Sequence, residues 1–147
     1  INNKTMKINF FFNILFLIFL FLTSNAQANT SSYFFEAKKL YEGNDFEKSK
    51  FLFEKDIVFN PKNERSYLYL AKIFNKNKNK EEEEINLNNV LLLNPKNDEA
   101  LYMLILIKID QSDYKGVEKL IKQFTLVCDN FCSKENEIKN KFNKLTP

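Results

Sequence analysis

Cys128 and Cys132 are the only thiols in the chain and stand four positions apart. Thiol chemistry needs a sulfur of lowered pKa in an electropositive setting. Here the acidic Asp129 lies between the two, and the spacing is not Cys-x-x-Cys. Two cysteines cannot complete a four-ligand zinc site alone. The chain has no histidine, so the commonest general base and the commonest metal ligand are both missing. Carboxylates, lysines and tyrosines are plentiful, but no sequence constellation sets a nucleophile beside a base. There is no glycine-rich phosphate loop. The expectation is a protein that is not an enzyme, with no cofactor and no metal.

Of 147 residues, 22 are basic and 19 acidic, and Arg65 is the one arginine. Glycine occurs at Gly43 and Gly116 only, and the interior prolines are Pro61 and Pro95. Few breakers and many Lys, Glu and Leu residues favour helix.

The first thirty residues read as an address. Met6 and Lys7 precede an apolar run over residues 8–22, interrupted by Asn9 and Asn13. Thr23 to Ala28 ends in Ala-Gln-Ala. A positive start, an apolar stretch and a small-x-small site describe a secretory signal peptide over residues 1–28, with translation expected to start at Met6. The run is shorter than the roughly 20 apolar residues that a spanning helix needs. The alternative is a retained membrane anchor. Cleavage would remove Lys4 and Lys7, leaving 20 basic against 19 acidic residues, a net charge of +1. So balanced a chain has no electrostatic footprint for nucleic acid. The expected location is extracytoplasmic, such as a periplasm, or an inner membrane if the anchor stays.

In an exported chain the cysteine pair often oxidises. A Cys128–Cys132 disulfide would close a very short loop and fix the angle at which the chain leaves it. The competing reading is two small buried residues that never pair, because four-residue spacing within a regular helix suits a disulfide poorly.

Asn60-Pro61-Lys62-Asn63 recurs as Asn94-Pro95-Lys96-Asn97, an offset of 34. Aligning 30–63 with 64–97 also pairs Ser32 with Ser66, Tyr33 with Tyr67, Ala37 with Ala71, Lys38 with Lys72 and Glu47 with Glu81. A period in this range means stacked supersecondary units. Each unit reads as two helices. Tyr33, Ala37 and Leu40 share a stripe of the first, over about 32–42. Gly43-Asn44-Asp45 makes a turn. Phe46, Phe53 and Ile57 recur at helical spacing in the second, and Pro61 ends it. The acidic run 81–84 suits a helix start and otherwise reads as solvated surface.

These residues resemble the tetratricopeptide repeat family. The first unit carries its pattern at Tyr33, Ala37, Leu40, Asn44, Phe46, Ser49 and Pro61. The second carries it at Tyr67, Ala71, Phe74 and Pro95, with departures at Lys78, Lys80 and Glu83. The third, about 98–130, holds Leu101, Ile105, Asp113, Tyr114, Val117 and Ile121, with Lys108 a departure. The resemblance implies an all-α solenoid of about three hairpins, 30–63, 64–97 and 98–130, within 29–132. Residues 133–147 then form a capping helix and tail, with Ser133 at its start and Ile138, Phe142 and Leu145 on its inner stripe.

The resemblance also implies a concave face lined by the first helix of each hairpin. Carried over, its partner-binding positions are Phe34, Lys38 and Tyr41, then Arg65, Leu68, Lys72 and Asn75, then Tyr102, Leu106 and Ile109. Leu101, Leu104 and Ile105 read as buried. Such a groove would take a protein or peptide with apolar anchors and an acidic group. Family domains that clamp a C-terminal carboxylate need Lys and Asn at set positions. Phe34, Tyr69, Glu99 and Met103 stand at several of those, which argues against the clamp. The functional expectation is an exported interaction adaptor or scaffold for a bacterial envelope complex. The alternative is a membrane-anchored accessory subunit.

N-terminal sequencing of the protein from its own cells separates these two. A cleaved signal leaves Asn29 first, whereas an N-terminus at Met6 would establish the retained anchor.

Overall fold

The computed structural model describes residues 32–144. The chain divides into two units, Ile1–Thr30 and Ser31–Pro147, and the described residues belong to the second. The signal-peptide reading, Asn29 and Leu145 lie outside them. Among the described residues seven α-helices succeed one another: α1 (Ser32–Glu42), α2 (Phe46–Phe59), α3 (Glu64–Lys76), α4 (Lys80–Leu93), α5 (Asp98–Asp110), α6 (Tyr114–Val127) and α7 (Glu135–Asn143). A 3₁₀ turn, Cys132–Lys134, precedes α7. The first six pair as three helical hairpins, and α7 covers the end of the last.

The turn within each hairpin repeats to the residue. Asn44, Lys78 and Ser112 have φ of 63°, 57° and 57°, at a spacing of 34. Each is a left-handed residue that lets the next amide reach back across the helix end. Asp45 N–H donates to the Leu40 carbonyl at 2.9 Å, and Asn79 and Asp113 donate to Phe74 and Lys108 at 3.0 Å. This satisfies carbonyls that the helix end leaves open. Asn44, not Gly43, is the left-handed residue. The same three polar residues then cap the next helix: Asp45, Asn79 and Asp113 accept from the amides of Lys48, Glu82 and Gly116. Such caps contribute about 1 kcal/mol each.

The core lies in three clusters along the stack. Phe34, Ala37, Phe53, Leu70 and Ile73 form the first. Leu68, Ala71, Leu87, Val90, Ala100, Leu104 and Ile107 form the second. Leu101, Ile105, Ile109, Val117, Phe124 and Ile138 form the third. Thus α3 and α5 each feed two clusters from two sides. That is why α5 is apolar nearly all round. Ile138 of α7 is 1 % exposed and seals the third cluster. Burying one such side chain contributes roughly 1.5–3 kcal/mol. Ser133 does not cap α7: it sits in the 3₁₀ turn, and α7 starts at Glu135 with no side-chain cap. The 3₁₀ turn runs straight into the helix, so Lys134 and not Ser133 holds the capping place.

The joints between hairpins differ. At the first, the fully buried Asp56 accepts from Ser66 Oγ, from Asn63 Nδ2 at 2.7 Å and from Asn60 Nδ2 at 3.2 Å. Thirty-four residues on, Val90 and Ala100 hold the places of Asp56 and Ser66, and both are fully buried. One joint is polar and directional, the other apolar. On the outer side of α2, α4 and α6, Val58, Leu92 and Leu126 stand at matching positions and remain 74 %, 80 % and 84 % exposed.

Asp56→Val alone strands the donors around it and is expected to lower stability to urea by about 2–3 kcal/mol. Adding Ser66→Ala reproduces the second joint and should recover about 1 kcal/mol of that loss. A double variant less stable than the single one would mean that Ser66 does not depend on Asp56.

Candidate functional site

A groove of about 860 Å³ runs along the faces of α3 and α5 and is bounded at one end by α7. Of the ten positions expected to bind a partner, Tyr41, Lys72, Asn75, Tyr102, Leu106 and Ile109 line it. The other four do not. Phe34 and Leu68 are 4 % and 8 % exposed and lie in the first and second core clusters. Each stands three residues before an alanine of the same cluster, Ala37 or Ala71, so the stripe that packs the hairpin takes them inward. Arg65 lays its guanidinium over the Phe34 ring at 4.5 Å. Lys38 pairs with Glu42 along its own helix at 3.4 Å. Leu101, Leu104 and Ile105 are buried.

The groove floor is apolar and its walls are charged. Met103, Leu106 and Ile107 of α5 supply the floor. Lys72 Nζ lies 2.8 Å from Glu99, and Lys80 Nζ lies 2.6 Å from Asp110. Both pairs bridge neighbouring hairpins. Tyr41 packs edge-on against Tyr69, with centroids 5.0 Å apart. Burial raises the Tyr41 phenol, helped by Tyr69 and the Glu99 charge.

Acidic residues are the part of the site that sequence reasoning missed. The run 81–84 is not simply a solvated face. Glu84 accepts from Lys108 at 2.5 Å and from Gln111 at 2.7 Å. This pairing explains why a lysine is tolerated on α5. Glu83 is 2 % exposed and lines the groove. Its Oε1 accepts from Asn75 Nδ2 at 2.9 Å. Burial pushes its carboxyl up, against the downward pull of the Asn75 bond and the Lys80 charge. The signal was available: at the matching positions stand Ser49 and Val117, so a carboxylate there is out of pattern. The contributions of Lys141 and Lys144 from the C-terminal end had no such signal, because the period does not extend to the cap.

The cap is tied down at two points. Tyr102 O–H donates to Glu137 at 3.1 Å. Bonds from Lys141 and Lys134, joined by that of Tyr102, hold the Glu137 carboxyl at about 2. At the other end, Cys128 and Cys132 are disulfide-bonded, with Cα atoms 5.2 Å apart. Asp98 Oδ2 accepts from the amides of Asp129 and Phe131, both at 2.8 Å, inside that loop. The α5 N-terminus thereby grips the segment that leads into α7. No group of three or more His, Cys, Asp or Glu residues among the described residues could hold a metal ion.

Burial alone would raise the Asp98 carboxyl. The amides of Asp129, Phe131, Asn130 and Glu99 outweigh it and hold the group below the usual carboxylate range. A carboxyl with a lowered folded pKa stabilises fully above its unfolded value, near 4, and loses that contribution as pH falls through the folded value. Wild type should therefore exceed Asp98→Asn in urea stability at pH 7, by about 1–3 kcal/mol. The gap should narrow steadily as pH falls below about 4. A gap independent of pH would show that the charge of Asp98 is not what holds the loop.

The sequence matches no protein-family model and no curated protein. Its structure does have likenesses. The first tetratricopeptide domain of Spaghetti (RPAP3), solved with an HSP90 peptide, aligns with a TM-score of 0.68 at 14 % identity, covering 78 % of this chain and 91 % of that one. The Sgt2 tetratricopeptide domain of Aspergillus fumigatus aligns with a TM-score of 0.62 at 16 % identity, over 82 % and 78 % of the two chains. A chain of the CopN–Scc3 complex aligns with a TM-score of 0.60 at 16 % identity, over 87 % and 74 %. At such identities the likeness is one of fold. Three hairpins with a 34-residue period, matching left-handed turns and a sealed last face give this chain the fold of the tetratricopeptide repeat.

Proposed function

We propose that the chain is an exported adaptor whose concave groove holds a peptide segment of a partner protein, in the assembly of a bacterial envelope complex. The groove itself carries this reading. It joins an apolar floor of Met103, Leu106 and Ile107 to charged walls, at a size that admits a short segment with two apolar anchors. Nothing in it sets a nucleophile against a base. Tetratricopeptide domains of like fold have been solved with an HSP90 peptide and in a protein complex, which supports a protein partner here. The terminal-carboxylate clamp does not carry over. Glu99 puts its own carboxylate on the groove wall and occupies Lys72. Phe34 is buried in the core. The export part of the reading rests on residues 1–28, and no helix among the described residues is long and apolar enough to cross a membrane.

A photo-cross-linking residue placed at Leu106, in cells that make the protein natively, should capture one discrete envelope protein. The same residue at Val58, on the outer side, serves as the control. Capture from position 106 and not from 58 is the expected outcome. Equal capture from both, or none from 106 with the protein abundant and folded, would overturn the groove reading.

A further inference from the structure

Among the described residues, Glu83 is the one acidic residue of the groove without a basic partner. The other two, Glu99 and Asp110, carry Lys72 and Lys80 at 2.8 Å and 2.6 Å. The Glu83 carboxyl has a single hydrogen bond among these residues, from Asn75 to Oε1, and no lysine or arginine within ion-pair distance. It is nevertheless 2 % exposed. A buried carboxylate with one oxygen unbonded is costly unless a positive charge or more donors reach it. The position does not call for a carboxylate on packing grounds. Ser49, its counterpart in the first hairpin, needs only the Ala37 carbonyl at 2.8 Å. Val117, its counterpart in the third, is simply buried.

Resting on the groove as a peptide site, we propose that Glu83 is a specificity-determining residue that takes a cationic group, a lysine or arginine side chain, from the bound peptide. The floor residues Met103, Leu106 and Ile107 would seat the peptide's apolar side chains beside it. The groups facing Glu83 are compatible with this. Asn75 already fills Oε1, leaving Oε2 for the arriving cation. Lys80 is bonded to Asp110, and that pair places a second carboxylate at the same end of the groove. A lysine or arginine arriving there supplies the positive charge that offsets the burial of the Glu83 carboxylate. The acidic ligand expected on the sequence finds less to meet, because of the lysines that line the groove Lys72, Lys80 and Lys141 are each paired with a carboxylate of the protein and Lys76 lies over the Phe46 ring.

The test is selection of a phage-displayed random 12-mer library on the purified protein, then affinity measurement with the selected peptides. Enrichment of Lys or Arg at one fixed distance from a pair of apolar residues is expected. Replacing that base by Gln in the peptide, or Glu83→Gln in the protein, should each weaken Kd by roughly tenfold to a hundredfold. The two changes together should weaken it no further. Glu83→Ser, which copies Ser49, serves where Glu83→Gln fails to fold, and the peptide substitution needs no variant at all. Leu106→Glu separates the two readings. If it abolishes binding while the peptide's base and Glu83 prove dispensable, the groove stands and the cation inference falls. If selected peptides bind Leu106→Glu unchanged, or none are selected, both fall.

Discussion

A helical hairpin of about thirty residues has two faces to bury and only itself to bury them with. It gains a core by being stacked. This constraint organises the molecule. It makes α3 and α5 serve two clusters each, and so makes α5 apolar on nearly every side. It demands a final cover, which Ile138 and the partly buried Phe142 supply. It also leaves the inner face of the stack open, since helices that pack by their flanks cannot fill the concavity between them. The groove is what remains when successive hairpins satisfy one another.

The architecture was readable because it is carried by punctuation. Asn60-Pro61 and Asn94-Pro95 mark the hairpin boundaries, and Asp45 and Asp113 mark the turns. These residues act locally, through caps and a fixed φ, so their meaning survives without knowledge of the rest. The third turn was legible for the same reason, although no Asn-Pro closes that hairpin. The groove was only half legible. Tyr41, Lys72, Asn75, Tyr102, Leu106 and Ile109 fell where the repeat register put them. Phe34 and Leu68 share that register but went to the core, because each lies one helical turn before the alanine at which its hairpin packs. Glu83 was hidden for a different cause. A run of four glutamates looks uniform on paper, and only folding assigns them separate surroundings.

Ion pairing obeys the same geometry. The pairs Lys72–Glu99, Lys80–Asp110 and Lys108–Glu84 all join the second hairpin to the third. Exposed pairs contribute little singly, yet these fix the rotation of one hairpin against another and thereby the width of the groove. At the far end the disulfide contributes less than the typical ~2–4 kcal/mol because its loop is so short. Its value is positional. With Asp98 gripping the amides between the two cysteines, the segment entering α7 is held in the direction that carries Ile138 into the core.

The two unlike joints give the stack a grain. A contact of Val90 and Ala100 tolerates small rotations, since dispersion varies gently with angle. The carboxylate of Asp56 with its three donors does not, because hydrogen bonds weaken steeply off axis. The first hairpin is therefore keyed to the second through a buried carboxylate, whereas the second and third meet through an apolar core contact and are held in rotation by the three ion pairs at its rim. The aperture of the groove over Met103 and Leu106 is thus set by charges at its edge, and the buried contact beneath adds little directional constraint.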